Sequence, residues 1–151
     1  MRSVDLYVPT ADGMRALGRA LGRAARAGDR FLLEGAFGAG KTTLVQGLAE
    51  GLEVPVPVSS PSFVIESQYR GRLVLYHVDL YRLESIEPEL LESLDEHLYG
   101  DGVAAVEWAE RLPADVRDGS TTLRIELDGE ARRVELRTTE ERLATAASNA
   151  A

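Results

Sequence analysis

The chain has 151 residues, 44% of them apolar and 28% charged, and it contains no cysteine, which excludes thiol catalysis, disulfides and thiolate metal sites. A chain of this length buries roughly 70% of the surface its unfolded form exposes, enough for one core-bearing domain without a covalent staple. Seventeen basic residues against twenty-five acidic ones give a net charge of -8, which opposes non-specific binding to nucleic acid or anionic membranes. Any polyanion must therefore be held by a local device.

In chain order, Ser3 to Val8 alternates as a strand does, and Thr10 stands where a helix N-cap would, ahead of Met14, Leu17 and Leu21 at helical spacing. Gly28 closes that helix. Phe31-Leu32-Leu33 reads as a buried strand running into a glycine-rich loop, and Leu44, Val45, Leu48 and Leu52 mark the next helix. Pro55, Pro57 and Pro61 make Val54 to Ser62 a loop able to approach a ligand.

Phe63 to Tyr69 and Leu73 to Asp79 form an expected hairpin through Arg70-Gly71-Arg72. Leu83 to Leu98 is expected to be helical, with Pro88 in a first turn. Val103 to Val106 is a strand ending in Glu107-Trp108, and strands at Thr121 to Leu127 and Arg132 to Arg137 flank a turn at Asp128-Gly129. Early strand–helix alternation followed by hairpins predicts an α/β fold with a mixed sheet of about seven strands flanked by helices.

Residues 1–140 are expected to form the single domain and 141–151 a disordered tail, whose end from Ala144 is built of Ala, Ser, Thr and Asn. Met1-Arg2-Ser3-Val4-Asp5 lacks the apolar stretch of a secretory signal, and no run approaches the roughly 20 apolar residues of a membrane span. A cytoplasmic protein is the expectation.

Gly35-Ala36-Phe37-Gly38-Ala39-Gly40-Lys41-Thr42 matches GxxxxGK followed by Ser or Thr, between a predicted strand and a predicted helix. Glycines let successive backbone N–H groups turn inward around phosphate oxygens, and the helix N-terminus adds partial positive charge. Gly38, Ala39, Gly40, Lys41, Thr42 and Thr43 are the candidate nucleotide-binding residues, with Lys41 on the β- and γ-phosphates and the Thr42 hydroxyl on Mg²⁺. Such a site also needs an acidic residue at a neighbouring strand end. Asp79 and Glu107 both follow apolar runs and would emerge at C-terminal strand edges, where ligands sit in open α/β sheets. His77 and His97 read as packed or solvent-facing side chains, and Trp108 as a structural plug placed to report nucleotide binding or touch a partner.

Four segments together resemble the TsaE family (also called YjeE): Gly38-Ala39-Gly40-Lys41-Thr42-Thr43, Ser60-Pro61-Ser62-Phe63, His77-Val78-Asp79-Leu80-Tyr81-Arg82 and Val106-Glu107-Trp108-Ala109-Glu110. The resemblance runs from about Thr10 to about Arg137. It implies a small bacterial ATPase, using ATP and Mg²⁺, that serves threonylcarbamoyladenosine modification of tRNA alongside the TsaB and TsaD proteins. It further implies catalytic roles for Lys41, for Asp79 as a Walker B-like aspartate and for Glu107 as a Mg²⁺-linked or water-orienting glutamate, a Mg²⁺ contact from Thr42 with either Glu107 or Asp79 touching the ion beside it, and a switch hydroxyl at Ser62.

The chain departs from the family pattern at Ala36, Phe37, Ser62 and Ala109, where aspartate, leucine, threonine and proline are common. Met14 stands near a usual threonine and Ser93 at a frequent glycine, while either Arg132 or Arg133 would approach the base from the last strand. Arg82 is a candidate contact for phosphate or partner, and also a plain partner for Glu84 or Glu87. The alternatives are a small-molecule P-loop kinase and a nucleotide-dependent interaction module without essential hydrolysis. The charge balance argues against direct tRNA binding, although Arg70, Arg72 and Arg82 could make a local basic patch.

Overall fold

The structure is a computed structural model and describes residues 1–36, 38–59, 66–81 and 87–150. Its strands are β1 (Arg2–Val8), β2 (Arg30–Gly35), β3 (Glu66–Arg70), β4 (Val74–Asp79), β5 (Val103–Glu107), β6 (Thr121–Asp128) and β7 (Ala131–Thr138). Its helices are α1 (Ala11–Ala24), α2 (Lys41–Gly51), α3 (Pro88–Leu98), α4 (Ala114–Arg117) and α5 (Glu141–Ala150), with a 3₁₀ turn at Ala109–Arg111. The strands make one mixed sheet in the order β1-β7-β6-β2-β5-β4-β3. Strands β4, β5, β2 and β6 run parallel, while β3, β7 and β1 join by antiparallel pairing.

Alternation along the central strands divides the core into two layers. Phe31, Leu33, Val103, Ala105 and Leu75 face one side, under Met14, Leu17 and Leu21 of α1 and Leu44, Val45 and Leu48 of α2. Leu32, Ala104, Val106 and Val78 face the other, under Leu94 and Leu98 of α3 and Ala109 and Leu112 beyond β5. Helix α1 starts as its sequence directs, with the Thr10 hydroxyl accepting from the Gly13 N–H at 3.0 Å. Helices α1 and α2 then touch backbone to backbone, since a Cβ on Gly18 would meet the Leu48 nitrogen at 2.8 Å. That contact seats α2, and with it the loop at its N-terminus.

The structure departs from the sequence expectation in several places. Helix α1 ends at Ala24, with Ala25 extended (φ -66°, ψ 145°) as its cap, so Gly28 lies beyond the helix rather than closing it. Helix α3 begins at Pro88, preceded by Glu87 in extended conformation (φ -64°, ψ 144°), because proline fits the first helical position and disfavours helical geometry in the residue before it. Residues 83–86 of the expected helix lie outside the described residues. The expected disordered tail is instead helix α5, which buries Leu143, Ala144 and Ala147 and is clamped where Arg142 donates to both Asp29 carboxylate oxygens at 2.8 and 2.6 Å. Alanine is the strongest helix former, and here it also supplies a flat face that packs closely. Among the described residues no helix is long and apolar enough to cross a membrane.

Candidate functional site

The site forms where three parallel strands end together. In the ladder Leu33 of β2 pairs with Glu107 of β5, and Glu107 pairs with Asp79 of β4. These strand ends meet the turn from Gly35 into α2, so the glycine loop and both candidate carboxylates lie at one sheet edge. Within the loop Gly38 and Gly40 have φ of +79° and +108°, values that a side chain rarely tolerates, and Gly40 caps α2. Ala39 is buried, and Lys41, Thr42 and Thr43 form the first turn.

Lys41 is only 5% exposed. Its Nζ donates to the carbonyl oxygens of Gly35 at 2.7 Å and Ala36 at 2.9 Å, and lies 4.2 Å from the centroid of the Trp108 ring. Burial pushes the Lys41 ammonium below its ordinary pKa, opposed by the charges of Glu107, Glu110 and Asp79. The Thr42 hydroxyl donates to Glu107, with Oε1 at 3.0 Å and Oε2 at 3.2 Å. Asp79 Oδ1 accepts from the Tyr81 N–H at 2.9 Å. Burial raises the Asp79 carboxyl above its ordinary range and the Glu107 charge adds to this, while the Tyr81 hydrogen bond, His77 and Lys41 pull it down.

Trp108 adopts the left-handed region at φ 60°, ψ 41°, unusual for a bulky residue. The turn brings its ring over Lys41 and places it 5.1 Å from Tyr81 and 5.6 Å from the Arg111 guanidinium. Lys41, Thr42, Asp79, Glu107 and Trp108 are therefore brought together at one sheet edge. Ser62, Arg82 and Phe37 lie outside the described residues.

The two arginines of β7 separate by strand parity. Arg132 shares a face with Val134 and Leu136, and its Nε would lie 3.5 Å from a Cβ on Gly40, the same distance as Met14 Cε. Arg133 turns to the opposite face, pairing with Asp128 at 3.0 Å and covering Tyr7. Of the two, Arg132 stands beside the loop. The suggested basic patch loses Arg72, whose Nη2 donates to the Gly22 and Ala25 carbonyls at 2.8 and 3.1 Å at the end of α1.

Two side chains absent from the candidate set complete the surroundings. His77 is fully buried, the packed rather than the solvent-facing of its two expected states, and its Nε2 lies 2.5 Å from Glu107 Oε2. Strand parity puts His77 on the same face as Asp79, but its reach to Glu107 depends on the β4–β5 register. Glu34, 4% exposed in β2, pairs with Arg117 and Arg124 immediately before the loop. His97 stacks on Tyr76 at 4.3 Å, with its Nδ1 2.7 Å from Glu66 Oε1, and takes no part in the site.

The family model for TsaE, threonylcarbamoyl adenosine biosynthesis protein, matches residues 8–137. A protein named tRNA threonylcarbamoyladenosine biosynthesis protein TsaE from Nostoc sp. (strain PCC 7120 / SAG 25.82 / UTEX 2576) is 48% identical over 104 residues, which is 64% of this chain and 62% of that protein. The protein of the same name from Bacillus subtilis (strain 168) is 44% identical over 118 residues, 75% of this chain and 73% of the relative. One from Treponema pallidum (strain Nichols) is 41% identical over 114 residues, 74% and 84% of the two chains. The crystal structure of Bacillus subtilis YdiB superimposes with a TM-score of 0.74 at 29% identity, covering 99% of this chain and 94% of that one. Matched over most of its length in both sequence and fold, the chain belongs to the TsaE family.

Proposed function

We propose that this protein is a Mg²⁺-dependent ATPase that acts as an accessory component of N6-threonylcarbamoyladenosine formation in tRNA, supporting turnover of a TsaB–TsaD pair in the cytoplasm. The observation that carries the reading is the Thr42 hydroxyl held against the Glu107 carboxylate, one residue from a buried loop lysine. A hydroxyl and a carboxylate are the hard oxygen donors that Mg²⁺ takes, alongside phosphate oxygens and water. Among the described residues no group of three or more His, Asp or Glu forms a self-sufficient cage, which suits an ion brought with its nucleotide. The bound ion would neutralise charge on the β- and γ-phosphates.

The chain's own residues supply the rest. The loop N–H groups and the N-terminus of α2 surround the phosphates, and Lys41 turns from the Gly35 and Ala36 carbonyls toward the transferring group. Thr42 and Glu107 would hold the ion, and Asp79, beside Glu107 in the ladder, would orient the attacking water. The place in threonylcarbamoyladenosine formation is supported by the family membership and by the names its relatives carry, and the coupling to a TsaB–TsaD pair is what the family resemblance implies.

Steady-state ATP hydrolysis, with and without the TsaB–TsaD pair from the same source, tests the proposal. Stimulation that Lys41→Ala abolishes supports it. Hydrolysis by Lys41→Ala at the wild-type rate would reject the phosphate cradle. Nucleotide binding without hydrolysis would favour the interaction-module reading, and a rate indifferent to the pair would remove the pathway.

A further inference from the structure

We propose that His77 is a positioning residue which holds the Glu107 carboxylate in the orientation that serves Thr42 and a divalent cation. This inference rests on the Mg²⁺-dependent reading above and assigns one more side chain to that site. His77 is wholly buried, and Glu107 is 3% exposed. Glu107 Oε2 lies 2.5 Å from His77 Nε2 and 3.2 Å from the Thr42 hydroxyl, so this oxygen is gripped from two elements, β4 and α2. A carboxylate that serves a cation only accepts, so in that role the imidazole Nε2 is the donor of this contact.

Packing alone gives no use for the ring nitrogens. His77 Nδ1 is buried and has no hydrogen-bond partner among the described residues, so the Glu107 contact is the polar interaction that the ring secures there. The register opens the path: His77 sits opposite Ala105, whose methyl leaves room for a diagonal reach to Glu107 at the strand end. A carboxylate that must present oxygen to an ion gains from a second partner that stops its rotation, and loss of such outer partners typically costs about 10–100-fold in metal affinity.

The test is calorimetric titration of Mg²⁺ into full-length protein saturated with a non-hydrolysable ATP analogue, comparing wild type with His77→Gln, His77→Asn and His77→Leu. A glutamine amide extends to the region of Nε2, whereas an asparagine amide ends near Nδ1. Expected is a loss of about 10–100-fold in Mg²⁺ affinity for His77→Asn and His77→Leu, with His77→Gln recovering most of it. Affinity for the analogue without Mg²⁺ should stay close to wild type in all three. If His77→Leu does not fold, the Asn–Gln contrast decides.

Equal Mg²⁺ affinity in His77→Asn and wild type would overturn the inference, as would parallel losses of Mg²⁺ and Mg²⁺-free analogue binding, which mark a merely structural role. Wild-type protein that binds the analogue but not Mg²⁺ would instead overturn the metal reading, and this inference with it.

Discussion

Lys41 Nζ lies 4.2 Å from the centroid of the Trp108 ring while donating to the Gly35 and Ala36 carbonyls, so one ammonium joins the glycine loop to the end of β5. A bound polyphosphate offers Nζ stronger, charged acceptors than two carbonyls, and its shift would change the cation–π contact. Trp108 is the only tryptophan. Its emission is therefore expected to change on addition of ATP, and the change should vanish in Lys41→Met. Unchanged emission under conditions where calorimetry detects binding would show that Lys41 stays on the loop.

Glu107→Gln separates the carboxylate's charge from its shape. The amide keeps an oxygen able to accept from Thr42 or His77, so the fold and Mg²⁺-free nucleotide binding should survive. Hydrolysis should fall by about 100-fold or more, the scale of losing one preorganised electrostatic partner in a transition state. A single-turnover rate within a factor of two of wild type would remove Glu107 from the catalytic set.

Much of this site was legible because it follows local rules. The glycine spacing, the Lys41-Thr42 pair and the apolar runs before Asp79 and Glu107 are statements about consecutive residues, and parallel strands end where the ladder requires. For His77 the sequence leaves packed and solvent-facing states open, since its bond to Glu107 depends on register between strands separated by α3. Arg132 could have been chosen over Arg133 by parity with Val134 and Leu136. The positive φ of Trp108 has no signal in the sequence, where an apolar strand simply ends in a glutamate and an aromatic. Helix α5 was hidden by composition, because an Ala-rich segment resembles low complexity until Leu143, Ala144 and Ala147 are placed on one helical face.

Asp79 provides a pH-dependent test. Its folded carboxyl is raised by burial and by the neighbouring Glu107 charge, so the folded protein holds the proton to a higher pH than the unfolded chain does. Stability falls as pH rises wherever the native state binds more protons. Asp79→Asn removes the penalty of the buried charge. At neutral pH it should melt higher than wild type, with the advantage shrinking as pH falls through the folded pKa toward the ordinary aspartate range. If Asp79 has the proposed role, the same substitution should slow hydrolysis, a trade expected where a buried charge serves the reaction. Thermal melts of both proteins from pH 3 to pH 8 decide the matter (about five points suffice), and a gap that widens on acidification would contradict the assigned direction.

Helix α5 joins the hydrophobic layer beneath α1 rather than trailing from the domain. Leu143 is 1% exposed, and Arg142 ties the helix to Asp29 and to the Ala24 carbonyl at the end of α1. Leu143→Ala removes buried methyl groups and leaves a cavity, at a cost of about 2–5 kcal/mol. Truncation after Thr139 should cost more, because it uncovers the parts of α1, β1 and β7 on which α5 packs as well as removing the Arg142 clamp. Helix α1 also carries Met14, which packs beside Gly40, so loss of α5 should weaken nucleotide binding together with stability. Urea denaturation of wild type, Leu143→Ala and the truncated chain measures both costs. A truncated chain with an unchanged midpoint and unchanged nucleotide affinity would show that α5 contributes nothing to the fold that holds the loop.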